Sequence, residues 1–257
     1  EVDTESENDG EDKENGPDFT LTNGDSHGSI WLKNRIDLSQ DFHLKAELNL
    51  GSSGNDSGGI AFVIQDESGS PLEDSGNLGI GDFFNFFAVE FDTYPESFAN
   101  DPSNNHHHWG MLKRGASSDY SRSIRNKPAT DHDEFGVNAT RNDNVTAKTF
   151  TLSTNKLTNN KDRAAEFIWN ADTQTLTAKF DVDDNWTYGN NEVISASGLG
   201  LYGDGSLFGD GYAYIGFTAA GEYPNKHNVR FFAESPTGNN ANMHASPLLR
   251  ASMRPNS

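Results

Sequence analysis

The sequence has no cysteine, only 19 basic residues against 39 acidic ones, and no long apolar run. Without cysteine there is no disulfide scaffold, no thiolate metal site and no cysteine nucleophile. The shortage of Lys and Arg leaves a formal net charge of −20. That charge excludes unaided binding to DNA, RNA or an anionic membrane, since each needs a basic surface, and it makes cations the natural partners of the chain. No stretch reaches the roughly eighteen apolar residues of a membrane-spanning helix. There is no signal-peptide apolar core, no Gly-x-Ser-x-Gly elbow to present a serine nucleophile, and no long amphipathic helical pattern.

What is present is 257 residues with 25 Gly and 17 Phe, 33% of them apolar. This length suits one large all-β domain or two ordinary ones, and it is enough to bury a core without metal or disulfide staples. The acidity is uneven. Residues 1–18 hold nine acids against one base, Lys13. With Val2 as the sole apolar residue of 1–16, that segment cannot offset its chain entropy by burial. Residues 1–18 are therefore expected to be a disordered leader or linker, 19–236 the folded domain, and 237–257 a tail, linker or peripheral strap. The chain reads as a mature protein or as a module of a longer one.

From Phe19 onward the apolar signal is short and two-periodic. Examples are Phe42–Leu50, Gly59–Ile64, Phe86–Tyr94, Thr149–Ser153, Ala165–Trp169, Thr175–Phe180, Tyr212–Thr218 and Val229–Ala233. Gly, Asn, Asp and Ser clusters bound these runs, and aromatic and β-branched residues fill them. Trp169–Leu176 reads as a hairpin. Many short strands without helices predict a sandwich or barrel. The near-continuous apolar runs at 86–94 and in the last strands predict mid-sheet positions.

The most informative segment runs from Ala88 to Met111. Alternate residues of a strand share a face, so Glu90, Asp92, Tyr94 and, if the strand continues, Glu96 point the same way. Pro95 marks where pairing should end. Carboxylates this close repel unless a cation or proton lies among them. Asp101 and the run His106-His107-His108 follow in a polar loop. Asp101 or the histidines alone would pass as ordinary solvated loop residues. Glu90 and Asp92 would not, because they interrupt an apolar strand where an unpaired charge is costly. Oxygen ligands suit Ca²⁺, and an added imidazole suits a transition metal.

Val89-Glu-Phe-Asp-Thr-Tyr94, then Asp101-Pro-Ser103, then His108-Trp-Gly-Met111 resembles the metal-binding strand and loop of L-type (legume-type) lectins. Gly59–Gln65 is similar to the strand after that family's first sugar loop, and Gly76–Gly81 to its Gly-rich second loop. Ile215–Gly221 with His227–Phe231 resembles the later strand, the fourth loop and the last strand. Ser29–Trp31 and Ile36–Ser39 resemble the opening strands. These motifs follow in order from about Phe19 to Ala233. The resemblance, most like a lectin module of a bacterial surface adhesin, implies an all-β antiparallel jelly-roll sandwich of the concanavalin-like lectin and glucanase architecture.

It further implies a secreted or cell-surface, calcium-dependent carbohydrate-binding module active in adhesion. Such a module is not an enzyme. It would be part of a larger surface protein, with neutral sugars or oligosaccharides as ligands and no nucleic-acid or direct membrane contact. The metal ligands carried over are Glu90, Asp92, Tyr94 through its carbonyl, Glu96, Asp101 and His108, with His106 as the alternative imidazole. Asp92 and Asp101 would bridge Ca²⁺ and a second ion, Mn²⁺ or Ca²⁺. The sugar contacts implied are Asp56, Gly76, Phe98, Asn100, Gly221, Glu222 and Tyr223.

Three positions depart from the family pattern. Glu96 stands where the family has an Asn that serves both Ca²⁺ and sugar, and a carboxylate has no N–H to donate. Gly58 stands where the first-loop Asp should be, leaving Asp56 or no acid in that role. The fourth loop reads Gly221-Glu-Tyr-Pro-Asn225, so Glu222 and Tyr223 are expected to set specificity. The rival readings are a jelly-roll glycoside hydrolase using Glu90 and Glu96, and a structural spacer whose sugar site has decayed.

Overall fold

The short alternating runs become strands in the computed structural model. It describes residues 18–23, 26–52, 58–66, 78–80, 83, 85–93, 107–114, 150–151, 157–182, 188, 192–221, 225–231 and 249–255. In chain order the strands are β1 (Asp18–Asn23), β2 (Ser26–Leu32), β3 (Ile36–Asp37), β4 (Phe42–Asn49), β5 (Gly58–Gln65), β6 (Phe86–Asp92) and β7 (His108–Arg114). They continue as β8 (Phe150–Thr151), β9 (Arg163–Asn170), β10 (Thr175–Phe180), β11 (Val193–Ala196), β12 (Tyr212–Gly221), β13 (Lys226–Phe231) and β14 (Leu249–Pro255). No helix occurs among the described residues.

Two sheets result. One has the order β1-β13-β4-β9-β10-β11; the other has the order β14-β2-β12-β5-β6-β7-β8, with β3 added beside β12. Every ladder is antiparallel. The strands expected mid-sheet are there: β6 lies between β5 and β7, β12 between β2 and β5, and β13 between β1 and β4. Within the segment read as a tail, residues 249–255 form β14, which pairs with β2 from Leu249 opposite Leu32 to Pro255 opposite Ser26.

Strand alternation sorts the side chains into layers. Ile60, Phe62 and Ile64 of β5, Phe87, Val89 and Phe91 of β6, and Ile215 and Phe217 of β12 face the other sheet. There they meet Phe167 and Trp169 of β9 and Leu176 and Phe180 of β10. Phe62 stacks on Phe167 with centroids 3.9 Å apart, and Phe91 lies 4.5 Å from Phe180. Aromatic burial of this kind dominates the energetics of a sandwich core. A second cluster covers the opposite face of the larger sheet: Trp31, Ala61, Val63, Phe86, Ala88 and Leu112 pack with Leu78, Ile80 and Phe83. This sheet is thus buried on both faces, which is why β6 reads as a nearly unbroken apolar run.

The smaller sheet turns its other face to water. β9 alternates buried Ala165, Phe167 and Trp169 with the more exposed Glu166, Ile168 and Asn170. On that face Glu166 takes a hydrogen bond from Lys179 at 3.2 Å. The predicted hairpin is observed: residues 171–174 turn between β9 and β10, with the Gln174 N–H donating to the Ala171 carbonyl.

Buried polar residues also bond within the smaller sheet. Arg163, at the start of β9, donates to the carbonyls of Asp181 and Val182 and to Asn159 Oδ1, so its charge is spent on the bend after β10. On the edge pair, the Thr22 hydroxyl accepts from the His227 N–H at 3.2 Å and lies 2.8 Å from the ring Nδ1. Complete burial pushes the His227 pKa down to about 4.

Candidate functional site

Within β6 the residues facing the inter-sheet core are Phe87, Val89 and Phe91, so Glu90 and Asp92 fall on the opposite face. Small residues flank them there. Glu90 lies opposite Ala61 of β5 and Gly110 of β7, and Asp92 lies opposite Gly59 and His108. The strand register therefore places an imidazole directly beside the second carboxylate.

The three polar side chains converge. One ligand atom from each of Glu90, Asp92 and His108 lies within 4.8 Å of the others. His108 Nε2 is 3.4 Å from Glu90 Oε1. Relative exposures are 0% for Glu90, 4% for Asp92 and 1% for His108. Two carboxylates buried this closely demand positive charge nearby. A donor set of two carboxylates and one imidazole suits a divalent transition-metal ion, and carboxylates alone suit Ca²⁺. The residues present thus fit a cation.

The ends of three strands meet next to this cluster. The Thr93 amide and hydroxyl, just past β6, both donate to the Gly58 carbonyl at the start of β5, at 3.0 and 2.7 Å. Gly58 in turn pairs with Gly221 at the end of β12. Nearby, buried Asn225 accepts from the Ser52 N–H at 2.9 Å and donates to the Leu50 carbonyl at 3.0 Å. This links the entry to β13 with the loop after β4.

Gly58 explains one departure from the expected pattern. Its φ is +109°, and a Cβ there would lie 1.9 Å from the Ala220 carbonyl oxygen. No side chain fits at this position while β5 and β12 keep their pairing, so an aspartate cannot stand directly before Gly59.

Of the residues expected to form the metal site, the structure brings together Glu90, Asp92 and His108. Tyr94, Glu96, Asp101 and His106 lie outside the described residues. Of the expected sugar contacts, Gly221 closes β12 beside Gly58 and is buried. Asp56, Gly76, Phe98, Asn100, Glu222 and Tyr223 lie outside the described residues. Sequence reasoning missed Thr93, Asn225 and Thr218. Thr218, a hydroxyl inside the apolar β12, carried the only signal that could have singled it out: a polar group that burial obliges to find a partner.

Comparison with known proteins bears on the family and the fold. A family model described as the legume lectin beta-barrel domain matches residues 3–232. Among solved structures, lectin II from Ulex europaeus superposes with a TM-score of 0.54 at 16% identity, covering 82% of this chain and 83% of its own. Peanut lectin with a 9mer peptide gives a TM-score of 0.54 at 17% identity, with 86% of each chain covered. Winged bean acidic lectin complexed with methyl-α-D-galactose gives 0.52 at 16%, covering 92% of this chain and 86% of that one. At these identities the likeness is one of fold: two antiparallel sheets in a jelly-roll sandwich.

Proposed function

Because the chain belongs to the legume lectin β-barrel domain family, we propose that it is a calcium-dependent module that captures neutral sugars of cell-surface or extracellular glycans without cleaving them. In this reading it acts in adhesion, as part of a larger secreted or surface protein. The observation that carries the reading is the meeting of Glu90, Asp92 and His108 beside the strand ends at Gly58, Thr93 and Gly221.

Asp92 and Asp101 would share two ions. The Tyr94 carbonyl and Glu96 would serve Ca²⁺, and Glu90 and His108, with His106 as the alternative imidazole, would serve the second ion, Mn²⁺ or Ca²⁺. The ions would supply charge. Their effect on sugar would be indirect, by offsetting the entropy of holding the 94–101 loop in one shape.

Sugar hydroxyls would then be met by Asp56, Asn100 and the backbone at Gly76 and Gly221, with Phe98 or Tyr223 against the apolar face of the ring and Glu222 at the rim. The crowding at Gly58 supports Asp56 as the first-loop acid, because a carboxylate directly before Gly59 is sterically excluded. The complete burial of Glu90 beside an imidazole supports an ion ligand over a hydrolytic nucleophile, which must reach its substrate. Affinity per site should be weak and strengthened by multivalent display.

The test is a glycan array probed in Ca²⁺ and again in EDTA, with galactosides included. Capture in Ca²⁺ that EDTA abolishes is the expected result. No capture in either condition overturns the proposal. Glucan cleavage without metal, lost in Glu90→Gln, would establish the hydrolase instead.

A further inference from the structure

Leu78 and Gly79 both have positive φ, 49° and 76°. Glycine adopts this left-handed region freely, but leucine does so against a steric penalty. Something must therefore hold Leu78 there.

The turn rests on β12. The Thr218 hydroxyl donates to the Leu78 carbonyl at 2.7 Å, and neither residue is more than 1% exposed. A Cβ on Gly79 would come within 3.2 Å of Thr218 Cβ and 3.3 Å of the Ala219 carbonyl oxygen, so the backbone of the turn is seated directly on the strand. Further along, the Phe83 N–H donates to the Ile80 carbonyl at 3.3 Å. The Phe83 ring meets Trp31 edge-on at 5.7 Å. The Trp31 indole N–H donates to Ser29 Oγ at 2.9 Å, and Ser29 is the register partner of Thr218. Two adjacent strands thus hold the described residues, β2 by ring packing at Phe83 and β12 by a hydrogen bond at Leu78.

A buried hydroxyl in an apolar strand costs free energy unless bonded, and so does a buried carbonyl. The Thr218–Leu78 bond satisfies both groups. A valine would pack equally well in β12 but would leave the Leu78 carbonyl without that donor.

We propose that Thr218 is a positioning residue for the ligand. Its hydroxyl fixes the Leu78–Gly79 turn of the Gly-rich loop in its left-handed conformation before any sugar or metal arrives. This rests on the carbohydrate-binding reading above. In that reading the Gly-rich turn has a clamp of its own, one hydroxyl, separate from any ion.

The experiment compares Thr218→Val, Thr218→Cys and Thr218→Ser in the full chain. Three quantities are measured: amide hydrogen exchange over residues 78–83, calcium affinity by calorimetry with the metal alone, and half-saturation on an array of neutral mono- and oligosaccharides. In T218V the protection of the turn should fall about tenfold, as expected for loss of one buried hydrogen bond. Half-saturation should rise by a similar factor, and calcium affinity should not change. T218S should stay within about twofold of the wild type by restoring the donor. If T218V does not fold, T218C, with its weak thiol donor, replaces it and should loosen the turn in the same way. Wild-type protection in T218V or T218C overturns the proposal, and so does equal impairment in T218S. If the wild type captures no sugar, the carbohydrate reading fails by itself, and the exchange data still decide whether Thr218 holds the turn.

Discussion

Glu90 and His108 meet across the β6–β7 pairing with Oε1 and Nε2 3.4 Å apart, both side chains buried. Asp92 completes the group as the direct register partner of His108. A bound cation should therefore stabilise the fold. At a free concentration about a hundred times its Kd it contributes about 2.7 kcal/mol, and in a chain of this size each kcal/mol moves Tm by about 2–4 °C. EDTA should lower Tm by about 5–10 °C in differential scanning calorimetry, and Asp92→Ala should remove that difference. A Tm indifferent to chelation would count against metal at this site.

His227 gives the fold an acid-sensitive point. Its folded pKa is lowered to about 4 by burial, against about 6.5 in an unfolded chain, so the unfolded state binds the proton more tightly. The stability contributed by the neutral ring is complete above about pH 6.5, declines as the pH falls towards 4, and is gone below that. The loss amounts to about 3 kcal/mol. Urea unfolding from pH 7 to 4 should show a steeper decline for the wild type than for His227→Gln. Parallel curves would refute the assignment.

Gly58→Asp places the family's usual first-loop acid where the backbone leaves no room. With φ at +109° and a Cβ 1.9 Å from the Ala220 carbonyl oxygen, it should cost more than about 2 kcal/mol. It should also weaken sugar capture rather than improve it. Thermal denaturation and the glycan array read the two effects.

Phe62→Ala removes the ring stacked on Phe167 at 3.9 Å and leaves a cavity between the sheets. The expected loss is about 3–5 kcal/mol, measured by chemical denaturation, with the calcium effect on Tm retained if the variant remains folded.

The sandwich was legible because its strands alternate. Phe167 and Trp169 before the turn, and Leu176, Ala178 and Phe180 after it, are spaced two apart, and local pattern suffices for such a hairpin. Glu90 and Asp92 were legible for the opposite reason, as charges that break an apolar strand. Other features depend on distant partners. Leu249, Ala251 and Met253 alternate with Arg250, Ser252 and Arg254, yet the place of this run beside β2 depends on a partner more than two hundred residues earlier. Arg163 reads as an exposed strand end, yet it is buried because the Asp181 and Val182 carbonyls need its protons. Thr218 reads as an ordinary strand threonine until folding brings Leu78, 140 positions away, to its hydroxyl. Gly58 looks like any loop glycine, and its necessity becomes visible only against Ala220.

The pairing of Asp92 with His108 also bears on how the protein assembles correctly. Side chains alternate faces along a strand, so a slip of β7 by one residue would turn His108 towards the aromatic layer and bring Trp109 to the carboxylates. Such a hairpin would offer an ion no imidazole. Cation capture at this site would therefore be reserved for chains whose central strands are in register, and metal uptake during refolding would select against misaligned molecules.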